Sequence, residues 1–218
     1  MGLLSWLFRK PAFDLQPDRI FLTRLPMLGD FTRQCRTALE SHDRVLLVTH
    51  FEESRQTVLD QLKAARVSCH SDADRLRSHA VHAQLHATMP TLVLAEQLIV
   101  EETAIESHDR SLSIAVLVAE HHPLRRHDLH IEQFLASVPA TARLTYFGSL
   151  DSAVYRRFAE PWVIDVLKKM GMKADEVMES QLVSRRLIAA QRRLETAIVS
   201  DIPADSADEW CERNLPKS

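Results

Sequence analysis

Three uninterrupted apolar runs constrain this chain most: Val45-Leu-Leu-Val-Thr49, Thr91-Leu-Val-Leu-Ala95 and Ser113-Ile-Ala-Val-Leu-Val-Ala119. A strand with one wet face alternates apolar and polar residues, whereas a strand covered on both faces reads as continuously apolar. Helical periodicity fills the gaps. Asp30–Ser41 puts Phe31, Cys35, Ala38 and Leu39 on one face, and Glu52–Ala65 does the same with Val58, Leu59 and Leu62. Further strands are expected at Arg19–Thr23, Val67–His70 and Arg143–Phe147, and further helices at Asp72–His86 and Leu124–Ser137. Strands alternating with helices in this way build βαβ units, and so an α/β fold with a mostly parallel sheet flanked by helices.

Beyond Gly148 the pattern turns helical, over Asp151–Phe158, Glu160–Met170 and Ser180–Ser200. The last of these spaces Val183, Leu187, Ala190, Leu194 and Ala197 as one apolar stripe, flanked by Arg185, Arg186, Arg192 and Arg193. Such a stripe needs a covering surface, either the chain's own sheet or another protein. The acidic segment from Asp201 to Ser218 has little to bury and reads as a loose tail. At the other end, Leu3, Leu4, Trp6, Leu7 and Phe8, followed by Arg9 and Lys10, form a short apolar tip before Pro11. The tip suits either a membrane surface or packing on the domain. The expected organisation is therefore a tip and linker over 1–17, an α/β domain over 18–149, a helical extension over 150–200 and the tail.

Composition excludes several functions. The 27 basic residues against 30 acidic ones leave a formal charge of −3, which argues against an electrostatic grip on nucleic acid. The four glycines, Gly2, Gly29, Gly148 and Gly171, never cluster, so neither GxxxxGK[ST] nor GxGxxG occurs. Cys35, Cys69 and Cys211 lie far apart without CxxC spacing, as expected of reduced thiols in a cytoplasmic protein. No GxSxG or HExxH motif points to hydrolytic catalysis. His79, His82 and His86 share one face of the helix expected from Asp72, a weak candidate metal site with no nearby carboxylate in the sequence.

Five short elements, Ser149–Asp151, Arg156–Phe158, Lys168–Lys173, Met178–Arg185 and Ala190–Glu195, have an order and spacing that resemble the SecA preprotein-translocase motor. In that family the run lies where the second RecA-like motor domain leads into the helical scaffold. Upstream, Asp18–Thr23 looks like the first strand of that domain, and Val45–Glu53 like the strand and helix that follow. Glu120, His122, Arg125, Arg126 and Asp128 match the family's Glu-Arg-His-Glu-Ser-Arg-Arg-Ile-Asp segment. The resemblance implies a RecA-like, helicase C-terminal-type domain over roughly residues 18 to 195.

The departures from the family bear on activity. Its Arg-Arg-Ile-Asp segment runs into two arginines that reach the γ-phosphate of ATP. An ungapped register puts Phe134 and Ser137 at those positions, and no arginine occurs between Arg126 and Arg143. An arginine finger supplies about 10³–10⁵ in rate. The family's glycine- and arginine-bearing loop after the strand at Thr91 is replaced by Glu96–Thr103, which carries Glu101 and Glu102. The first motor domain, with its Walker lysine, has no counterpart in these residues. No autonomous ATPase activity and no cofactor are expected.

Two roles stand. One is a degenerate, non-catalytic SecA-like interaction module, cytoplasmic or peripheral at the membrane, whose partner is a translocation component meeting Val183, Leu187, Ala190 and Leu194. The other is a half-motor that completes an ATP site on a separate P-loop protein through Glu120, His122, Arg125, Arg126 and Asp128. In the second case those five residues sit just after a strand, where open α/β sheets bind ligands. Arg125 and Arg126 equally suit internal ion pairs with Glu120 and Asp128.

Overall fold

A computed structural model describes residues 13–72, 75–101, 112–158, 167, 169, 171–173 and 175–216. In chain order its strands are β1 (Phe13–Leu15), β2 (Arg19–Phe21), β3 (Arg44–Thr49), β4 (Leu76–Arg77), β5 (Thr91–Leu94), β6 (Leu98–Ile99), β7 (Ser113–Val118), β8 (Thr141–Ser149) and β9 (Met178–Glu179). Its α-helices are α1 (Arg24–Ser41), α2 (Glu52–Ala64), α3 (Val81–Gln84), α4 (Arg125–Ala136), α5 (Ala153–Phe158), α6 (Gln181–Ala197) and α7 (Ala207–Asn214). The main sheet runs β5-β3-β7-β8-β2-β9, parallel except for β9. β1 and β2 share one edge of β8, pairing Phe13 with Ala142 and Arg19 with Phe147. Pro17, which has no N–H to give a ladder, lies in the break between them.

The continuous apolar runs are explained by burial on both faces. Leu46, Val48, Val116, Val118 and Leu144 face Ile131, Phe134 and Leu135 of α4. Their alternate neighbours Val45, Leu47, Ala115 and Leu117 face Phe31 and Cys35 of α1 with Val58 and Leu62 of α2. A third cluster gathers Ile20, Phe51, Leu124, Leu150, Tyr155, Leu187 and Trp210. Gly148 is required at the end of β8, because a Cβ there would stand 2.5 Å from Cε2 of Tyr155. This is the α/β fold with a mostly parallel sheet flanked by helices that the sequence predicts.

Several expectations need correction. The helix expected over Asp72–His86 is instead β4, a 3₁₀ turn at Ser78–Ala80 and the single turn α3, with His86 beyond its end. His79, His82 and His86 therefore share no helical face. His79 pairs with Glu101, and the His86 ring packs 4.4 Å from His70. Val67–His70 contributes one bridge, His70 to Thr91, in place of a strand. α1 begins at Arg24, six residues before the expected start, because Pro26 falls in its first turn, where backbone N–H groups lack helical partners anyway.

The tail is not loose. Ser206 caps α7 by accepting from the Glu209 amide at 3.2 Å, and Trp210 is 1% exposed within the third cluster. Leu187, expected to meet a partner, is 3% exposed in the same cluster, with Val183 and Leu194 packed against it. Leu187 is thus covered by the chain itself, while Val183, Ala190 and Leu194 are half-buried and Ala197 is exposed. Leu187→Ala should therefore cost about 2 kcal/mol of folding free energy, measured by urea unfolding of the isolated chain. The tip residues Leu3, Leu4, Trp6, Leu7 and Phe8, and most of Glu160–Met170, lie outside the described residues. Among the described residues, no helix is long and apolar enough to cross a membrane.

Candidate functional site at the strand ends

The C-terminal ends of β3, β7 and β8 deliver a dense set of polar side chains to one side of the molecule. β7 ends at Val118, so Glu120, His121 and His122 leave the sheet in the turn before α4, and α4 then returns Arg125, Arg126, His127 and Asp128 to the same place.

Asp128 is the hub. It is fully buried, with Oδ2 2.7 Å from Nδ1 of His121 and Oδ1 2.9 Å from Nε2 of His50. The amide of His122 donates to Oδ1 at 3.1 Å, and Nε2 of Gln191 in α6 donates to Oδ2 at 2.7 Å. Burial alone would raise the Asp128 carboxyl, but His121 and His50 outweigh it and hold the group well below the usual carboxylate range. His121 stacks on Tyr146 with ring centroids 4.2 Å apart, and its Nε2 lies 3.2 Å from Asp18 Oδ2. Burial opposes its charge, yet Asp128 and Asp18 push it up to about 10, so it is an imidazolium at neutral pH.

His122 is the opposite case. Burial, with His50 and His127 close by, drives it well below the ordinary histidine value. Its neutral ring stacks on Phe51 and meets the edge of Trp210, while Nδ1 accepts from the Leu124 amide at 3.0 Å. Two adjacent histidines thus carry opposite charge states because one faces two carboxylates and the other faces rings.

The arginines are engaged. Nη2 of Arg125 is 2.5 Å from Glu132, and the side chain is 8% exposed. Nη2 of Arg126 is 2.7 Å from Asp201 Oδ2, and its amide donates to Glu195 of α6. Asp201 also takes Nε2 of His127 on Oδ2 and the Trp210 indole on Oδ1, each at 2.7 Å. These bonds latch the segment leading to α7 onto α4 and hold the Asp201 carboxyl far below its usual range. His122, His127 and Asp201 also bring potential ligand atoms within 4.8 Å of one another. Asp201 already bonds His127, Arg126 and Trp210, and His122 Nδ1 accepts from the Leu124 amide, so the carboxylate serves as a hydrogen-bonded latch beside the His122 ring.

The five residues proposed for nucleotide are therefore neighbours, but they divide. His122, Arg125, Arg126 and Asp128 belong to the internal network. Glu120 instead faces a cavity on the side of α1 and α2, together with Arg24, Ser54, Ser149 and Asp151. At the two positions matched to the arginine fingers, Phe134 is fully buried in the core, and Ser137 turns its hydroxyl back to the Phe134 carbonyl at 2.8 Å. Glu101 pairs with Arg77 and His79, and Glu102 lies outside the described residues. Sequence reasoning missed Asp18, His50, Gln191, Asp201 and Trp210. The one local signal that could have found α7 is the capping-box pattern Ser206-Ala-Asp-Glu209. Nothing in the local sequence singles out the other contacts.

No family profile matches the chain. Among curated proteins it is similar to protein translocase subunit SecA 1 of Rhodopirellula baltica, 38% identical over 80 residues, covering 37% of this chain and 6% of that protein. It is 28% identical over 119 residues to SecA of Stenotrophomonas maltophilia, covering 53% and 13%. The SecA of Xanthomonas campestris pv. campestris is 34% identical over 80 residues, covering 37% and 9%. The matched part of the chain spans only between 6% and 13% of the length of these relatives. Among solved structures, the C-terminal part of the Fun30 ATPase domain aligns with 78% of this chain and 54% of its own, at 11% identity and a TM-score of 0.40. The similarity to SecA read from the motifs is thus present at the level of whole-segment identity.

Proposed function

We propose that this chain is a SecA-like binding module with a role linked to protein translocation, which turns over no nucleotide by itself. The observation that carries this reading is the state of the cationic groups at the strand ends. Phe134 fills the core where the family has a phosphate-seeking arginine, and Arg125 and Arg126 are engaged by Glu132 and Asp201. A phosphate arriving here would have to displace existing ion pairs. With Leu187 used internally, α6 offers a partner the opposite face, where Arg185, Arg186, Arg192 and Arg193 are exposed.

Calorimetric titration of the full chain with ATP and ADP, with and without Mg²⁺, is expected to be silent up to millimolar concentrations. Saturable binding that disappears in Arg126→Ala would overturn the reading. It would favour the half-motor that completes an ATP site in trans. One observation supports that second role: the Arg126 side chain is 48% exposed, and its partner Asp201 belongs to the segment leading to α7. Arg126→Ala would then abolish any change the chain makes in a P-loop partner's ATP turnover.

A further inference from the structure

The cavity that receives Glu120 contains polar atoms that no protein group answers. Ser149 is 1% exposed, and its Oγ has no hydrogen-bond partner. Oε1 of Glu120 is likewise buried and unpartnered. Both residues line one cavity of about 110 Å³ at the ends of neighbouring strands, beneath the start of α7. Leaving such atoms unsatisfied is costly, because their desolvation is not compensated, so a ligand that supplies donors gains binding energy there.

The charges around the cavity select the ligand. Four carboxylates line it, those of Glu53, Glu120, Asp151 and Asp208; Arg24 is the one guanidinium in the lining, and Arg156 pairs with Asp208 from outside it at 2.5 Å. Arg24 reaches Glu53 and Ser54, each at 3.4 Å. The helix N-termini beside the cavity hold oxygens already: the Arg24 amide donates to Asp151 at 3.3 Å, and the Glu53 amide to the Asp205 carbonyl at 3.0 Å. An anion therefore finds these donors occupied. A bare divalent ion is no better served, since no three of the four carboxylates bring oxygens within 4.8 Å of one another. The unmet demand is for N–H donors carrying positive charge, set beside an apolar wall of Met27, Leu28, Val58 and Ala119.

We infer that this cleft binds a primary alkylammonium group, carried by a small amine or by the lysine side chain of a partner, with Glu120 and Ser149 as its acceptors. The –NH₃⁺ offers three donors, and its alkyl stem lies along the apolar wall. Burial lifts the Glu120 carboxyl above its ordinary value, and an incoming cation would draw it down again. The inference is independent of whether the chain binds nucleotide.

The test is calorimetry and amide NMR on the full chain with n-butylammonium chloride and, separately, a lysine-containing peptide. Tetramethylammonium and MgCl₂ serve as controls. One-site binding is expected, with amide shifts at Ala119, Ser149 and Ser206. Glu120→Gln, which keeps the side chain's size, should weaken binding at least about tenfold, a change of ~1.4 kcal/mol. Ser149→Ala should weaken it less and serves as the second arm if the glutamine variant folds poorly. Saturation by butylammonium assigns the site to small amines, and saturation by the peptide alone assigns it to a protein partner. Failure of both probes to saturate, equal binding of tetramethylammonium or Mg²⁺, or undiminished binding in both variants would overturn the inference.

Discussion

Asp128→Ala should lower the unfolding free energy by about 3–5 kcal/mol, the cost of removing one partner from a buried ion pair. Each kcal/mol moves the melting temperature of a chain this size by about 2–4 °C, so the loss is large by calorimetry or urea titration. The reason is geometric. One carboxylate accepts from His121, the His122 amide and Gln191, and faces His50, so its removal leaves groups from the turns after β3 and β7 and from α6 without their common acceptor. Asp128→Asn keeps the volume but turns a donor toward one of those donors, and should also destabilise.

The pH dependence carries a sign for each group. The His121 value in the folded chain, about 10, lies above the ordinary 6.5, so its contribution is complete below pH 6.5 and is lost as pH rises toward 10. His122 and His127 are displaced downward, by burial first, so their contributions are present above pH 6.5 and are lost as pH falls. Asp128, also displaced downward, loses its contribution on acidification below its ordinary 3.8. Taken together, these groups place maximum stability near pH 6.5. In Asp128→Ala the decline between pH 6.5 and 10 should flatten, because His121 keeps only Asp18. An unchanged slope would show that Asp128 does not hold the His121 proton.

Trp210→Ala should remove about 3–5 kcal/mol from whatever opening reaction exposes α7. The indole is 1% exposed, donates to Asp201 at 2.7 Å and meets the His122 ring edge-on at 5.3 Å. If α7 unfolds with the whole domain, the loss appears as a lower global unfolding free energy. If it opens separately, hydrogen exchange of the α7 amides accelerates while the sheet amides are unchanged. Normal protection of α7 in the variant would mean that Ser206 capping and the Asp205 carbonyl on α2 suffice to hold it.

Local pattern reported what each segment would hide, and hid it correctly wherever burial came from immediate neighbours. Val45–Thr49 and Ser113–Ala119 read as strands with two dry faces, and β3 and β7 alternate between the clusters under α4 and under α1 and α2. The helical spacing of Val183, Leu187 and Leu194 showed an apolar face, but periodicity carries no information about what lies against it. The answer came from the far ends of the chain, with Ile20 in β2 and Trp210 in α7. His79, His82 and His86 failed for a related reason. Their spacing presupposes a continuous helix, whereas β4 pairs with β6 and draws Leu76 and Arg77 into extended backbone.

The strand-end chemistry was the least legible part. Glu120, His122, Arg125, Arg126 and Asp128 stand out together in sequence, but whether they are free for a ligand depends on Asp18, Gln191 and Asp201, which lie tens of residues away. A side chain's charge state and availability are set by the few groups within hydrogen-bonding distance, and chain folding chooses those groups. The residue order alone therefore decided the sheet, its two buried faces and the likeness to SecA. Only the tertiary structure decided which carboxylates and arginines cancel one another, and that Glu120 and Ser149 are left facing a cavity unanswered.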